Sequence, residues 1–211
     1  MLRDARARAG IPAVERVEGQ GDQGNTWYPE LDGAMGRFAD GDDTAFVALH
    51  AGLGPRMHRL LLRLTGDRAL SADMVQESFL RIHRGRGGFV HGAAVVPWAL
   101  AIARNVFRDD LRRRKRTIAA GHEGEASLLA AYAADGTAEE IALAREAGDV
   151  VRVVLAALPV AQREAFVMMR FEALPLDEIA EILDTTPTAV KLRAFRASEA
   201  IREALRKRED R

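Results

Sequence analysis

The chain has no cysteine, no net charge at pH 7 and few aromatic residues, and each shortage narrows what it can do. Without a thiol there is no disulfide, thiolate nucleophile or thiolate metal ligand. The histidines, His50, His58, His83, His91 and His122, show no His-Glu-x-x-His or comparable ligand spacing, so no metal site is expected. There is no nucleophile elbow, and "GRGG" at 85–88 has neither the spacing nor the preceding strand of a phosphate loop. The expectation is a protein that is not an enzyme and needs no cofactor. No apolar run approaches the roughly 20 residues needed to span a bilayer, and "MLRDARARAGIPAVERVEG" lacks the apolar centre of a signal peptide. This predicts a cytoplasmic chain without membrane insertion.

A neutral total seems unsuited to a nucleic-acid partner until the charges are placed along the chain, because binding responds to local patches. Between Ala101 and Arg116 stand Arg104, Arg108, Arg112, Arg113, Arg114, Lys115 and Arg116, opposed only by Asp109 and Asp110. Lys191 to Arg211 is also basic. Between these segments, Thr117 to Val150 carries Glu123, Glu125, Asp135, Glu139, Glu140, Glu146 and Asp149 against Arg145 alone. Its stretch "AAGHEGEASLLAAYAADGTAEE", rich in Ala, Gly and Glu, has the composition of a linker. The fold class expected is all-α: two small helical domains joined by a flexible linker.

The first domain reads as helices throughout. One runs from about Thr44 to Gly66, with Gly52-Leu53-Gly54-Pro55 set to kink or divide it. A second begins near Ser71 as cap and carries "SADMVQESFLRIHR", with Asp73, Gln76 and Glu77 together on one exposed face. Taken alone, such a face is more often solvated acidic surface than a dock for a basic partner. After the glycine loop "GRGGFVHGAA", a third helix, "VVPWALAIARNVFRDDLRRRKR", ends in the cation cluster.

The C-terminal end shows the sharpest local pattern. Leu176, Ile179, Ala180 and Leu183 lie at i, i+3, i+4 and i+7 after Pro175; the rhythm stops at Asp184-Thr185-Thr186-Pro187 and restarts with Val190, Ala194, Ala197 and Ile201 on one face. Thr186 is placed to cap the new helix, with Pro187 at its first position. The break, the small Ala180 and the basic second helix describe a helix-turn-helix. Spacing alone leaves DNA binding open, since two helices on a short loop are common and a cationic face is ordinarily solvated.

Taken in order, "DDTAF", "SADMVQESFLRIHRGRGGF", "PWALAIARNVFRDDLRRRKR", "LPVAQREAFVMMRFEALPLDEIAEIL" and "AVKLRAFRA" resemble a bacterial sigma factor of the extracytoplasmic-function type, over most of residues 42 to 205. The resemblance implies a transcription initiation factor whose partners are core RNA polymerase, promoter DNA and, as for many members, an anti-sigma factor. It divides the chain into an N-terminal extension (1–41), a domain that docks on polymerase and recognises and opens the −10 element (42–116), the acidic linker (117–138), which would follow the path of the nascent RNA, and a −35-binding helix-turn-helix domain (139–211). It assigns polymerase docking to Asp73, Gln76 and Glu77. To the −10 element it assigns Phe89, His91, Trp98, Arg104, Asn105, Arg108 and Arg112, with the aromatics offered as stacking surfaces for an unpaired base. Phe89 and Trp98 read alternatively as core. To the −35 duplex go Thr188, Lys191, Leu192, Phe195 and Arg196, the outward face of the last helix. Ala189 and Leu192 depart from the family's usual Thr and small polar residue, so no promoter sequence carries over; Ala72 departs from the usual Glu of the docking box, where Asp73, Gln76 and Glu77 remain.

A duplex-only regulator would have no use for a docking box or an exposed aromatic loop, and a helical scaffold none for DNA. Both stand as rivals to the sigma reading.

Overall fold

The computed structural model describes residues 28–119, 148 and 150–209, and all the regular structure among these residues is helical. The first helix, α1 (Pro29–Ala39), starts with proline at its first turn and with Glu30 and Asp32 beside the positive helix end. Leu31, Ala34, Met35 and Phe38 fall at i, i+3, i+4 and i+7. All four are drawn into the core, and Met35 and Phe38 are fully buried. The expected boundary at residue 42 is therefore too late: Pro29–Ala39 is part of the first helical group, because its apolar stripe needs a partner.

A short 3-10 turn, Asp43–Ala45, leads into α2 (Phe46–Thr65), which passes through Pro55 undivided. The Gly-Leu-Gly-Pro stretch serves packing rather than a break. A Cβ on Gly52 would lie 2.5 Å from the Leu31 side chain, so the missing side chain lets α1 cross closely. The helix stops at Gly66, whose φ of 73° returns its amide to the Leu62 carbonyl at 2.8 Å.

Asp67, not Ser71, caps α3 (Arg68–Gly85): its carboxylate accepts the Leu70 amide at 3.0 Å. Ser71 lies inside the helix, fully buried, where its hydroxyl meets that of Thr65 at 2.8 Å. Capping moved upstream because the carboxylate stands at the turn itself. The long helix α4 (Val95–Ala119) runs three residues past the expected end of its domain. Its first amide, on Val95, donates to buried Asp32 at 2.7 Å, so α1 fixes where α4 begins.

In the second group, 150–157 form α5, followed by α6 (Val160–Phe171), α7 (Leu176–Ile182) and α8 (Pro187–Glu209). Asp184, at a φ of 51°, ends α7 with paired bonds from Asp184 to the Glu181 carbonyl and from Thr185 to the Ala180 carbonyl. The Thr186 hydroxyl accepts the Ala189 amide at 3.2 Å and opens α8. Ile179, Ala180 and Leu183 of the first helix and Val190, Ala194, Ala197 and Ile201 of the second are all buried, as their spacing predicts. The expected linker, from 120 onward, and the start of the second domain lie outside the described residues. One continuous apolar cluster contains residues of both helical groups.

Candidate functional site

The site has three faces, and they differ in how much of each is open. The first is on α3. Asp73 and Gln76 are exposed and Glu77 is half-buried, one turn apart on the same side as exposed Leu80. Glu77 is held by Arg81 Nε at 2.8 Å, and the same guanidinium reaches Asp109 of α4 at 2.7 Å. Arg81 therefore ties the acidic face to the basic helix. Its hydrogen bonds to Glu77 and Asp109 outweigh the cost of partial burial and raise its pKa.

The second face belongs to the glycine loop and α4, and here the structure corrects the sequence reading. Phe89 does not protrude from its loop. It is 7% exposed and packs edge-on against Trp98, 4% exposed, with ring centroids 5.2 Å apart. Each ring fills the space beside the other, so neither offers a free face to a base in this arrangement. His91 is the exposed ring of the loop, with Nε2 3.1 Å from Asp40.

Further along α4, Arg104 is buried and donates from Nε to Glu164 of α6 at 3.1 Å. Arg108 forks onto the same carboxylate, Nε to Oε1 at 2.9 Å and Nη2 to Oε2 at 2.5 Å. Burial lowers the pKa of Arg104, while the hydrogen bond to Glu164 raises that of Arg108; both guanidiniums remain charged. Asn105, beside Arg104, is part-buried. Arg112, one turn beyond Arg108, is exposed and 3.6 Å from Asp109. Arg113 and Arg114 both close on buried Asp110.

The third face is the outer side of α8. Thr188, Lys191, Leu192, Phe195 and Arg196 are all exposed, with Leu192 at 48% and Phe195 at 58%. Two large apolar side chains left in water one turn apart, flanked by cations, suit a groove with both thymine methyls and phosphates.

Glu164 is what the sequence reading missed. In α6 the stripe Val160, Arg163, Glu164, Val167, Met168, buried from Arg163 onward, carries two charges where apolar residues would be expected. That interruption is the signal from which a contact between the two helical groups could have been read. Arg163 donates from Nη1 to the Leu64 carbonyl at 2.7 Å, across to α2. Among the described residues no cluster of His, Asp and Glu could hold a metal ion, and no helix is long and apolar enough to cross a membrane.

A helix-turn-helix with an exposed outer face, joined to a second basic helix beside an acidic surface, is the arrangement expected of a DNA-directed helical protein. The comparisons make this specific. Residues 49–117 match the model of sigma-70 region 2, and residues 149–201 that of sigma-70 region 4. The chain is 34% identical to RNA polymerase sigma factor CarQ of Myxococcus xanthus over 171 residues, covering 81% of this chain and 95% of that relative. It is 35% identical to the ECF RNA polymerase sigma factor SigM of Mycobacterium tuberculosis, over 74% of this chain and 75% of the relative. In fold it resembles the sigma factor RpoE from Bartonella quintana, solved with the anti-sigma factor NepR, at a TM-score of 0.66 and 20% identity, over 76% of this chain and 96% of that one. The chain belongs to the extracytoplasmic-function sigma factors, the initiation factors that direct RNA polymerase to promoters.

Proposed function

We propose that this sigma factor divides its work among the three faces described. Asp73, Gln76 and Glu77 on α3 take the basic partner surface of core polymerase. The outer face of α8 reads the −35 duplex: Thr188, Lys191 and Leu192, nearest the helix start, reach base edges, and Arg196 a phosphate, with Phe195 beside it as an apolar contact. Arg104, Asn105, Arg108 and Arg112 of α4, with His91 from the loop, serve the −10 element. Phe89 and Trp98 support that surface from beneath. The protein itself makes and breaks no covalent bond; phosphodiester synthesis stays with the polymerase. It acts in the cytoplasm, and an anti-sigma factor is a fitting partner because the fold neighbour from Bartonella quintana was solved with one.

The observation that carries this reading is the exposure of all five α8 residues on one side of a helix whose opposite side is buried. Run-off transcription of fragmented genomic DNA with purified core enzyme tests it. Start sites sharing paired upstream elements, seen only when the protein is added, are the expected result. Binding to DNA with no gain in specific starts would favour a duplex-only regulator.

A further inference from the structure

The outer side of α8 holds two large side chains that its packing does not use. Val190, Ala194, Ala197 and Ile201 fill the buried side of the helix, whereas Leu192 and Phe195 stand in water three residues apart. Residues at that spacing are neighbours on a helix surface, so the two form one apolar patch. The charge around it is of one sign. From Pro187 to Ser198 the helix carries Lys191, Arg193 and Arg196 and no carboxylate, and the first one beyond, Glu199, is paired with Arg202. A patch framed in this way suits an apolar mark on a polyanion better than the apolar face of another protein.

Neither side chain has a hydrogen-bond donor or acceptor, so neither can tell bases apart by their polar edges. The major groove offers them one apolar mark, the methyl group on C5 of thymine. The same group at the same position distinguishes 5-methylcytosine from cytosine. Three residues of helix rise by about 4.5 Å, a little over the roughly 3.4 Å between successive bases of a strand, so the patch spans one base step. We propose that Leu192 and Phe195 form a reader of pyrimidine C5-methyl groups at two neighbouring positions of the −35 duplex, satisfied by thymine or by 5-methylcytosine. This rests on the −35 reading of α8 and deepens it: cytosine methylation within the element becomes a signal that the chain reads directly. Lys191 before the patch and Arg196 after it hold it against the DNA.

A duplex from a promoter mapped by run-off transcription, bound by the full chain together with core polymerase, carries the test. Each thymine of its −35 element, on either strand, is replaced in turn by deoxyuridine, which removes the methyl group and keeps the base pair. At the two positions read, affinity should fall about fourfold, the worth of one buried methyl group, and elsewhere it should hold. Cytosine placed at either position should also weaken binding, and 5-methylcytosine should recover about fourfold over cytosine. Leu192→Ala should abolish the deoxyuridine effect at one of the two positions and Phe195→Ala at the other, while Arg196→Ala weakens binding and keeps both effects. Far-UV circular dichroism checks the fold of each variant, and should one unfold, the wild-type series still decides. Indifference of the wild-type complex to every deoxyuridine overturns the reader and leaves the patch to a protein partner. So does 5-methylcytosine that binds no better than cytosine, or a full deoxyuridine effect at both positions in both folded variants. If instead core polymerase shows no promoter-specific starts with the wild-type chain, it is the sigma-factor reading that fails, and the reader with it.

Discussion

The two basic helices look alike in the sequence and differ in the structure. Both α4 and α8 are long, carry an apolar stripe and crowd arginine and lysine toward their C-terminal ends. On α8 the predicted reading face stands open from Thr188 to Arg196, and in the basic last turns Arg202 pairs with Glu199 and Arg206 with Glu203 on the same helix. On α4 the first half is enclosed: Trp98 is core, and Arg104 and Arg108 are committed to a carboxylate more than fifty residues away. The difference teaches that a cation cluster fixes where a polyanion can bind and says nothing of when. Availability is decided by what packs across it.

The largest effect should come from a face that neither helix owns. Reversing Asp73 and Glu77 to Lys removes two charge-assisted contacts of about 1.5 to 3 kcal/mol each, so affinity for core polymerase should fall at least about a hundredfold. The melting temperature should fall only slightly, because the Arg81–Glu77 pair that is lost is partly exposed and Arg81 keeps Asp109. Competition against a labelled sigma factor measures it, and wild-type competition by the folded double mutant would remove the docking assignment.

Next in size is Trp98→Ala, which asks whether α4 begins in the core or in the DNA site. Loss of a ring buried against Phe89 should cost about 3 to 5 kcal/mol of stability, read by denaturant unfolding. Unchanged stability with lost strand opening would restore the base-stacking role.

On the open helix the effects should be smaller and divided by position. Lys191→Ala should cost about 1 to 3 kcal/mol and relax preference at a single −35 base, whereas Arg196→Ala should weaken every sequence alike and reduce the salt slope by about one. Titrations of −35 variants at several salt concentrations separate the two. A base-specific loss for Arg196→Ala alone would mean that α8 sits differently in its groove.

The smallest effect is a pH dependence outside both helices. A hydrogen bond from the Thr44 hydroxyl holds the exposed Asp42 carboxyl below its ordinary value. Since the folded value is the lower one, this stabilisation is present above the unfolded pKa and is lost as pH falls through the folded one. Asp42→Ala should melt slightly below wild type at neutral pH, and the gap should close below about pH 4. A gap that widens in acid would contradict the assignment.

How far the sequence could be read follows from which contacts were local. The helix-turn-helix was legible in detail because its signals, Thr186, Pro187 and the two apolar stripes, lie within a few residues of what they determine. Ser71 lost the cap to Asp67 only four positions away, since two capping residues competed for one helix start. The stripe Leu31, Ala34, Met35, Phe38 was visible but overlooked beside an N-terminal stretch without periodicity. Glu164 illustrates the remaining limit. Its partners are distant in the chain, and a glutamate on a helix reads as surface until the neighbours of its stripe are counted.

The contrast between the covered and the open helix can be measured on the free protein with two probes from one mapped promoter, a −35 duplex and a −10 single strand, each titrated with and without core polymerase. The account predicts that the free chain binds the duplex, binds the strand poorly, and gains strand binding only in the presence of core enzyme. Strand binding by the free chain as tight as in the complex would show that Glu164 leaves α4 open, and would contradict it.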